Sequence, residues 1–114
     1  MLRTVTGAVT GTDFATADAA LLDSPAALRV LRYALIDFGE ATNFLATQEE
    51  IRRVAEVDHR IAELVPHLCL AIVAPRDLQF GISRMWQVFV EGTGWETAVF
   101  RDRREAEAWL FRKP

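Results

Sequence analysis

Hydrophobic and polar positions switch between a period of two and a helical period along this chain, and the switches mark its elements. Residues 2–9 are rich in Thr and Val with loose alternation, the pattern of a strand. Gly11 interrupts it, and Thr10 with Asp13 stands at the spacing of a capping box, so a helix is predicted over about 12–23. Phe14, Ala17, Leu21 and Leu22 share one stripe of that helix, its alanines suit close packing, and Ser24-Pro25 ends it. Residues 30–38 read as a β-prone segment, apolar on both faces except at Arg32, as a covered central strand requires. It is predicted to end at Asp37, before Gly39, with a loop through Thr42 and Asn43.

The second half is marked more sharply. Thr47-Gln48-Glu49-Glu50 is a capping box, in which the Thr47 hydroxyl accepts from the Glu50 N–H and the Glu50 carboxylate reaches back. The helix it opens runs to about residue 65 on a stripe of Ile51, Val54, Ala55, Ile61, Ala62 and Val65, and Pro66 stops it. Residues 67–74 form a continuous apolar run of strand length, predicted as the most buried strand. Pro75 and Asp77 open a third helix carrying Leu78, Ile82, Met85, Trp86, Phe89 and Val90, which ends at Gly92 and Gly94. A short strand over 95–100 and a second capping box, Asp102 with Glu105, lead to a closing helix with Ala106, Trp109 and Leu110 inward. The order βαβαβαβα predicts an α/β sandwich: a four-stranded, mainly parallel sheet with four helices, in one domain over 1–114.

Composition narrows the function classes. A chain of 114 residues, 51% apolar and 25% charged, has one core and is too hydrophobic to be disordered. Its net charge of -3 argues against nucleic acid, whose binders carry a basic stripe. One cysteine forms no internal disulfide, and no apolar run approaches the ~20 residues of a membrane span or a signal segment, so a cytoplasmic protein with no integral membrane segment is expected.

Chemistry is sparse. Cys69 lies in the apolar run and reads as an inert core thiol. His59 and His67 have no partner at ligand spacing, so no metal site is expected. There is neither a Gly-x-Ser-x-Gly elbow nor a phosphate-cradling glycine loop, and no cofactor is implied. Asp37, Glu40 and Asp77 could converge at strand ends, but without a nucleophile or metal they do not make an enzyme. Two features stand out. Asp58 falls inside the apolar stripe of the second predicted helix, where a carboxylate is desolvated unless paired; either this end of the stripe lies near the surface or an Arg satisfies it, or, on the second reading, it lines a pocket or interface. Phe80 and Arg84, four apart opposite the core face of the third helix with Gly81 between them, suit a cation–π pair or an interface anchor.

The run Ala74-Pro75-Arg76-Asp77-Leu78-Gln79-Phe80-Gly81-Ile82-Ser83-Arg84-Met85, then Val99-Phe100-Arg101-Asp102, Glu105-Ala106-Glu107-Ala108-Trp109-Leu110 and Leu35-Ile36-Asp37, resembles the small bacterial SpoIIAA-like proteins of the STAS and SEC14 superfamily. The resemblance implies a sheet covered by helices. Antagonists of the STAS type are phosphorylated on a serine after the central strand; here only Thr47 could stand in, and its hydroxyl is already an N-cap. Longer relatives begin with an additional strand, which implies an open sheet edge here and pairing as a homodimer.

Two functions follow from this reading. One is a non-enzymatic regulatory module that docks a protein partner, or a second copy, through the strand-end loops and the third helix, with Asp37, Gly39, Arg76, Asp77, Phe80 and Arg84, together with Asp58, as its contact residues. The other is a carrier of an apolar, lipid-like small molecule between helix and sheet. A cavity beneath the third predicted helix discriminates between them.

Overall fold

The computed structural model describes residues 1–112 of the chain. Its elements are β1 (Leu2–Thr10), α1 (Gly11–Leu21), α2 (Pro25–Arg29), β2 (Tyr33–Leu45), α3 (Gln48–Leu64), β3 (Cys69–Val73), α4 (Asp77–Phe89), β4 (Glu96–Phe100) and α5 (Arg103–Leu110). The strands lie in the order β1-β2-β3-β4, and every neighbouring pair is parallel. Parallel neighbours need a crossover between them, and the helices supply it. The predicted α/β class and four-stranded sheet are therefore observed, with five helices rather than four. The extra one, α2, begins at Pro25, which had read as a terminator; proline's fixed φ suits a first helical position equally well.

Each face of the sheet has its own core. On one side α1, α3 and α4 bury Ile36, Phe38, Ile51, Val54, Ile61 and Ile72. On the other, α5 alone closes a small cluster of Leu35, Ala71, Val73, Ala106 and Leu110. Two helices start as the sequence predicts: Thr47 caps α3 through a reciprocal box with Glu50, and Thr10 does the same for α1 with Asp13. Asp102 caps α5 by accepting from the Glu105 N–H at 2.8 Å.

The largest departure is β2. It starts at Tyr33, not residue 30, and continues through Gly39, Thr42 and Asn43 to Leu45, where a loop was expected. Two register shifts against β1 absorb the extra residues, one between Thr4 and Thr6 and one between Gly7 and Ala8, where Gly7 takes φ 69°. At Gly39 the reason differs: a Cβ there would lie 2.9 Å from Asp37 Oδ1, which accepts from the Gly39 N–H at 2.7 Å, so a larger residue would push that carboxylate aside. Since β3 pairs only as far as Asp37, the far half of β2 has one open side. Side chains of α4 fill it, Arg76 donating to the Ala41 carbonyl and Gln79 Nε2 to that of Phe38 at 3.3 Å. This satisfies backbone acceptors that burial would otherwise make costly.

The helix phases also shift slightly. Ala17 of α1 is exposed and Asp18 takes the inward position. On α4 the buried stripe is Gln79, Ile82, Ser83, Trp86 and Val90, while Leu78 is 56% exposed.

Candidate functional site

Between the helix layer and the sheet the core does not close. A cavity of about 60 Å³ remains, walled by side chains of α1, α3, α4, β2 and β3 that are almost all aliphatic or aromatic, Phe14, Val54, Ile61, Ile72, Ile82 and Trp86 among them. Half-buried Leu21, Leu31 and Trp95 stand at its margin, near the amino ends of the strands. Such a space is large enough for a compact group of a few heavy atoms; an apolar void of ~150 Å³ accepts benzene.

Its polar content is concentrated at one point. Asp58, 5% exposed, comes from the inner face of α3, and Asp18, also 5% exposed, from the inner face of α1. Both line the cavity, as does Arg3 of β1. Arg3 Nη1 pairs with Asp18 Oδ1 at 2.6 Å. Trp86 Nε1 of α4 donates to Asp58 Oδ2 at 2.8 Å. Burial pushes the Asp58 carboxyl well above the usual carboxylate range, reinforced by the charge of Asp18 and by hydrogen bonding with it, and opposed by Trp86 and Arg3. Two carboxyl groups can bond each other only if one carries a proton, and Asp58 is that one. One guanidinium, one carboxylate and one neutral acid then leave the cluster without net charge. Of the two sequence readings of Asp58, the pocket-lining one describes its position, although its direct donor is a tryptophan and the arginine reaches it only through Asp18. Asp18 escaped the sequence reading, but the same signal marks it: it lies four residues from Phe14 and three from Leu21 on the α1 stripe.

The remaining candidates gather at the opposite, carboxyl end of the sheet. Arg103 Nη1 lies 3.4 Å from Asp37 Oδ2, and Arg101 Nη1 lies 2.7 Å from Asp77 Oδ1. Asp37 and Gly39 thus sit within β2 rather than on a strand-end loop, and Arg103 is shared between Asp37 and Glu107, whose Oε1 lies 2.8 Å from its Nε. Phe80 is half-buried against the core, and its cation–π partner is Arg101, 4.2 Å over the ring, not Arg84. Arg84 points outward.

Thr47 is exposed and accepts from the Glu50 N–H at 3.1 Å. Glu50 also accepts from the Thr12 hydroxyl at 2.7 Å, tying α3 to α1. Hydrogen bonds, first from the Thr47 backbone and then from Thr12, hold the Glu50 carboxyl down at about 2, so a phosphate on Thr47 would face a carboxylate. Cys69 is partly buried at the sheet's α5 face, where burial pushes its thiol up. His59 Nε2 lies 3.0 Å from the Phe89 carbonyl oxygen. Among the described residues no three His, Cys, Asp or Glu side chains gather as metal ligands, and no helix is long and apolar enough to cross a membrane.

No protein-family model matches the chain, and no curated protein matches it. Among solved structures it is similar to an uncharacterized protein from the DUF3478 family with a SpoIIAA-like fold, from Shewanella loihica PV-4. The two are 25% identical with a TM-score of 0.53, over 94% of this chain and 80% of that one. The parallel four-stranded sheet and its helices agree with that likeness, and the chain is a small protein of the SpoIIAA-like fold.

Proposed function

We infer that the chain is a non-enzymatic module that takes a compact apolar ligand between the helix layer and the sheet, in the cytoplasm. The observation that supports this reading is the unfilled apolar cavity beneath α4. Protein interiors are close-packed, and a void lined by Leu, Ile, Phe and Trp forfeits contacts that an occupant would restore. Its size favours a small ligand over a lipid chain. Titration with xenon, followed by NMR of the Trp86 indole and the Ile methyl groups, tests it. Saturable shifts confined to the cavity, lost in Val54→Phe, would support the reading; no saturable shift would overturn it.

A second reading, docking of a protein partner or a second copy through α4, is supported by the outward face of that helix. Leu78 is 56% and Val88 59% exposed, beside Arg84 and Gly81. Large apolar side chains grouped on one helix face suit an interface anchor. Sedimentation of the wild type and of Leu78→Glu/Val88→Glu separates a self-associating chain from a monomer.

A further inference from the structure

The cavity would be better packed, and cheaper to bury, without an ionisable pair in its wall. Buried carboxyl groups cost stability unless paired, and apolar replacements of similar size are often neutral or stabilising. The cluster is nevertheless fully made: Arg3 from β1, Asp18 from α1, Asp58 from α3 and Trp86 from α4 meet there, four elements joined by one proton. Of these elements α1, α3 and α4 form the helix wall of the cavity, and Arg3 of β1 lines it as well.

We propose that the Asp18–Asp58 pair is a proton-dependent latch on the cavity. With one proton shared between the two carboxyl groups the helix layer is closed; when that proton leaves to solvent, the cavity's polar end admits water and an apolar occupant is expelled. The proposal rests on the ligand reading above and adds its regulation. The charge balance carries it. Among the described residues Arg3 is the one cation acting on the pair, and α4 contributes uncharged groups, the Trp86 indole and the Ser83 hydroxyl. The amino group of Met1, the other charged group at the cavity, is occupied by the Tyr33 carbonyl at 2.7 Å. Loss of the proton therefore changes the cluster from neutral to one uncompensated negative charge. It also removes an O–H between α3 and α1 at the cavity, leaving the Thr12–Glu50 bond at the helices' amino ends as their remaining tie. Two carboxylates without that proton repel each other, and the cheapest relief is to separate α1 from α3 and let water in.

The sign of the pH effect follows. Asp58 holds its proton more tightly folded than unfolded, so the folded chain binds more protons above the ordinary Asp range. The latch's contribution is complete below that range and declines as pH rises through the folded transition. One proton corresponds to about a tenfold change in the folding constant per pH unit within that window.

Asp58→Asn is the test, because an amide copies the protonated acid: its N–H donates to Asp18 and its carbonyl accepts from Trp86. In the wild type, the Trp86 indole N–H resonance should titrate in a single step above the carboxylate range, and xenon affinity should fall at least threefold across the same step. In Asp58→Asn both should be flat with pH, with xenon affinity held at the low-pH wild-type value. A Trp86 resonance that titrates identically in both proteins would overturn the latch, as would wild-type xenon binding that is constant through the step. If xenon binds at no pH, the ligand reading and with it the latch on an occupant fall together; if xenon binds both proteins alike at every pH, above the titration step as well as below it, the ligand reading survives and the latch alone fails. Should Asp58→Asn not fold, infrared spectroscopy of the wild type decides: a protonated-carboxyl band that persists above the ordinary Asp range and is lost as pH rises further, together with xenon affinity, supports the latch, and a band lost within the ordinary range overturns it.

Discussion

The two faces of the sheet bury their apolar residues by opposite means. The α5 face is small and simple: Leu35, Ala71, Val73, Ala106 and Leu110 meet with no ionisable group among the fully buried residues. The face toward α1, α3 and α4 holds a much larger core, yet it also encloses a cavity and two buried aspartates. The larger core could most easily have closed without polar groups, and it is the one that did not. A local rule broken without a gain in stability marks a site, while a rule kept everywhere marks scaffold. The α5 face follows the pattern of scaffold, and the departure from it lies on the other face, where the proposed ligand site is.

The largest expected break in this contrast is Trp86→Ala. It removes a 7% exposed indole from the larger core and strips Asp58 of its donor. A loss of about 3–5 kcal/mol is expected, from the emptied volume and from the carbonyl oxygen left unpaired. Leu110→Ala on the α5 face, where Leu110 is 4% exposed, removes volume alone, and solvent lies close behind a single helix. There about 2–3 kcal/mol is expected, the low end of such truncations. Urea unfolding of both variants measures the difference. Equal losses would mean that the polar cluster adds nothing to the larger face.

Next in size are two pH effects of opposite sign. Asp58 is raised, so its contribution is present below the ordinary Asp range and fades toward alkaline pH. Glu50 is lowered to about 2, so its contribution is present above 4.5, its ordinary value, and is lost as pH falls toward 2. Glu50→Gln should flatten the acid limb of the stability curve and leave the alkaline limb unchanged; Asp58→Asn should do the reverse. Chemical unfolding across pH tests the pair. One substitution that flattens both limbs would show that the two sites are coupled through α3, which carries both.

How far the sequence foretold this arrangement depended on whether a feature was local. The capping boxes at Thr10 and Thr47, the Asp102 cap and the apolar run over 67–74 are local; the helices open beside those caps, Asp102 capping α5 without a reciprocal bond, and β3 forms within that run at Cys69–Val73. The extension of β2 to Leu45 is not local. It depends on two bulges against β1 and on Arg76 and Gln79 reaching from α4, a contact spanning 35 residues for Arg76 and 41 for Gln79. Asp58 was legible because it broke a strong helical period. Asp18 broke a weaker one, on a helix with exposed alanines, and its meaning appears only when α1 packs on α3. The cavity is an absence of side-chain volume between elements distant in sequence, and no single-element pattern encodes it.

The smallest effect concerns the carboxyl end, where the two faces meet. Arg101, leaving β4, lies over Phe80 of α4, while Arg103, opening α5, reaches back to Asp37 of β2. These arginines join the helices of both faces across the sheet's end. Arg101 is half exposed and its partner Asp77 is 97% exposed, so their ion pair contributes little, and most of the effect of Arg101→Ala should come from uncovering the Phe80 ring. The expected loss is about 0.5–1 kcal/mol. Phe80→Ala should cost more, about 1–2 kcal/mol, because the ring is also packed against the larger core. Arg84→Ala, at an exposed position, should stay within about 0.5 kcal/mol. A double substitution at 80 and 101 that costs no more than Phe80→Ala alone would assign the Arg101 effect to the stack. Additive costs would return it to Asp77 and the strand end, and would separate the two faces energetically at the one edge where they touch.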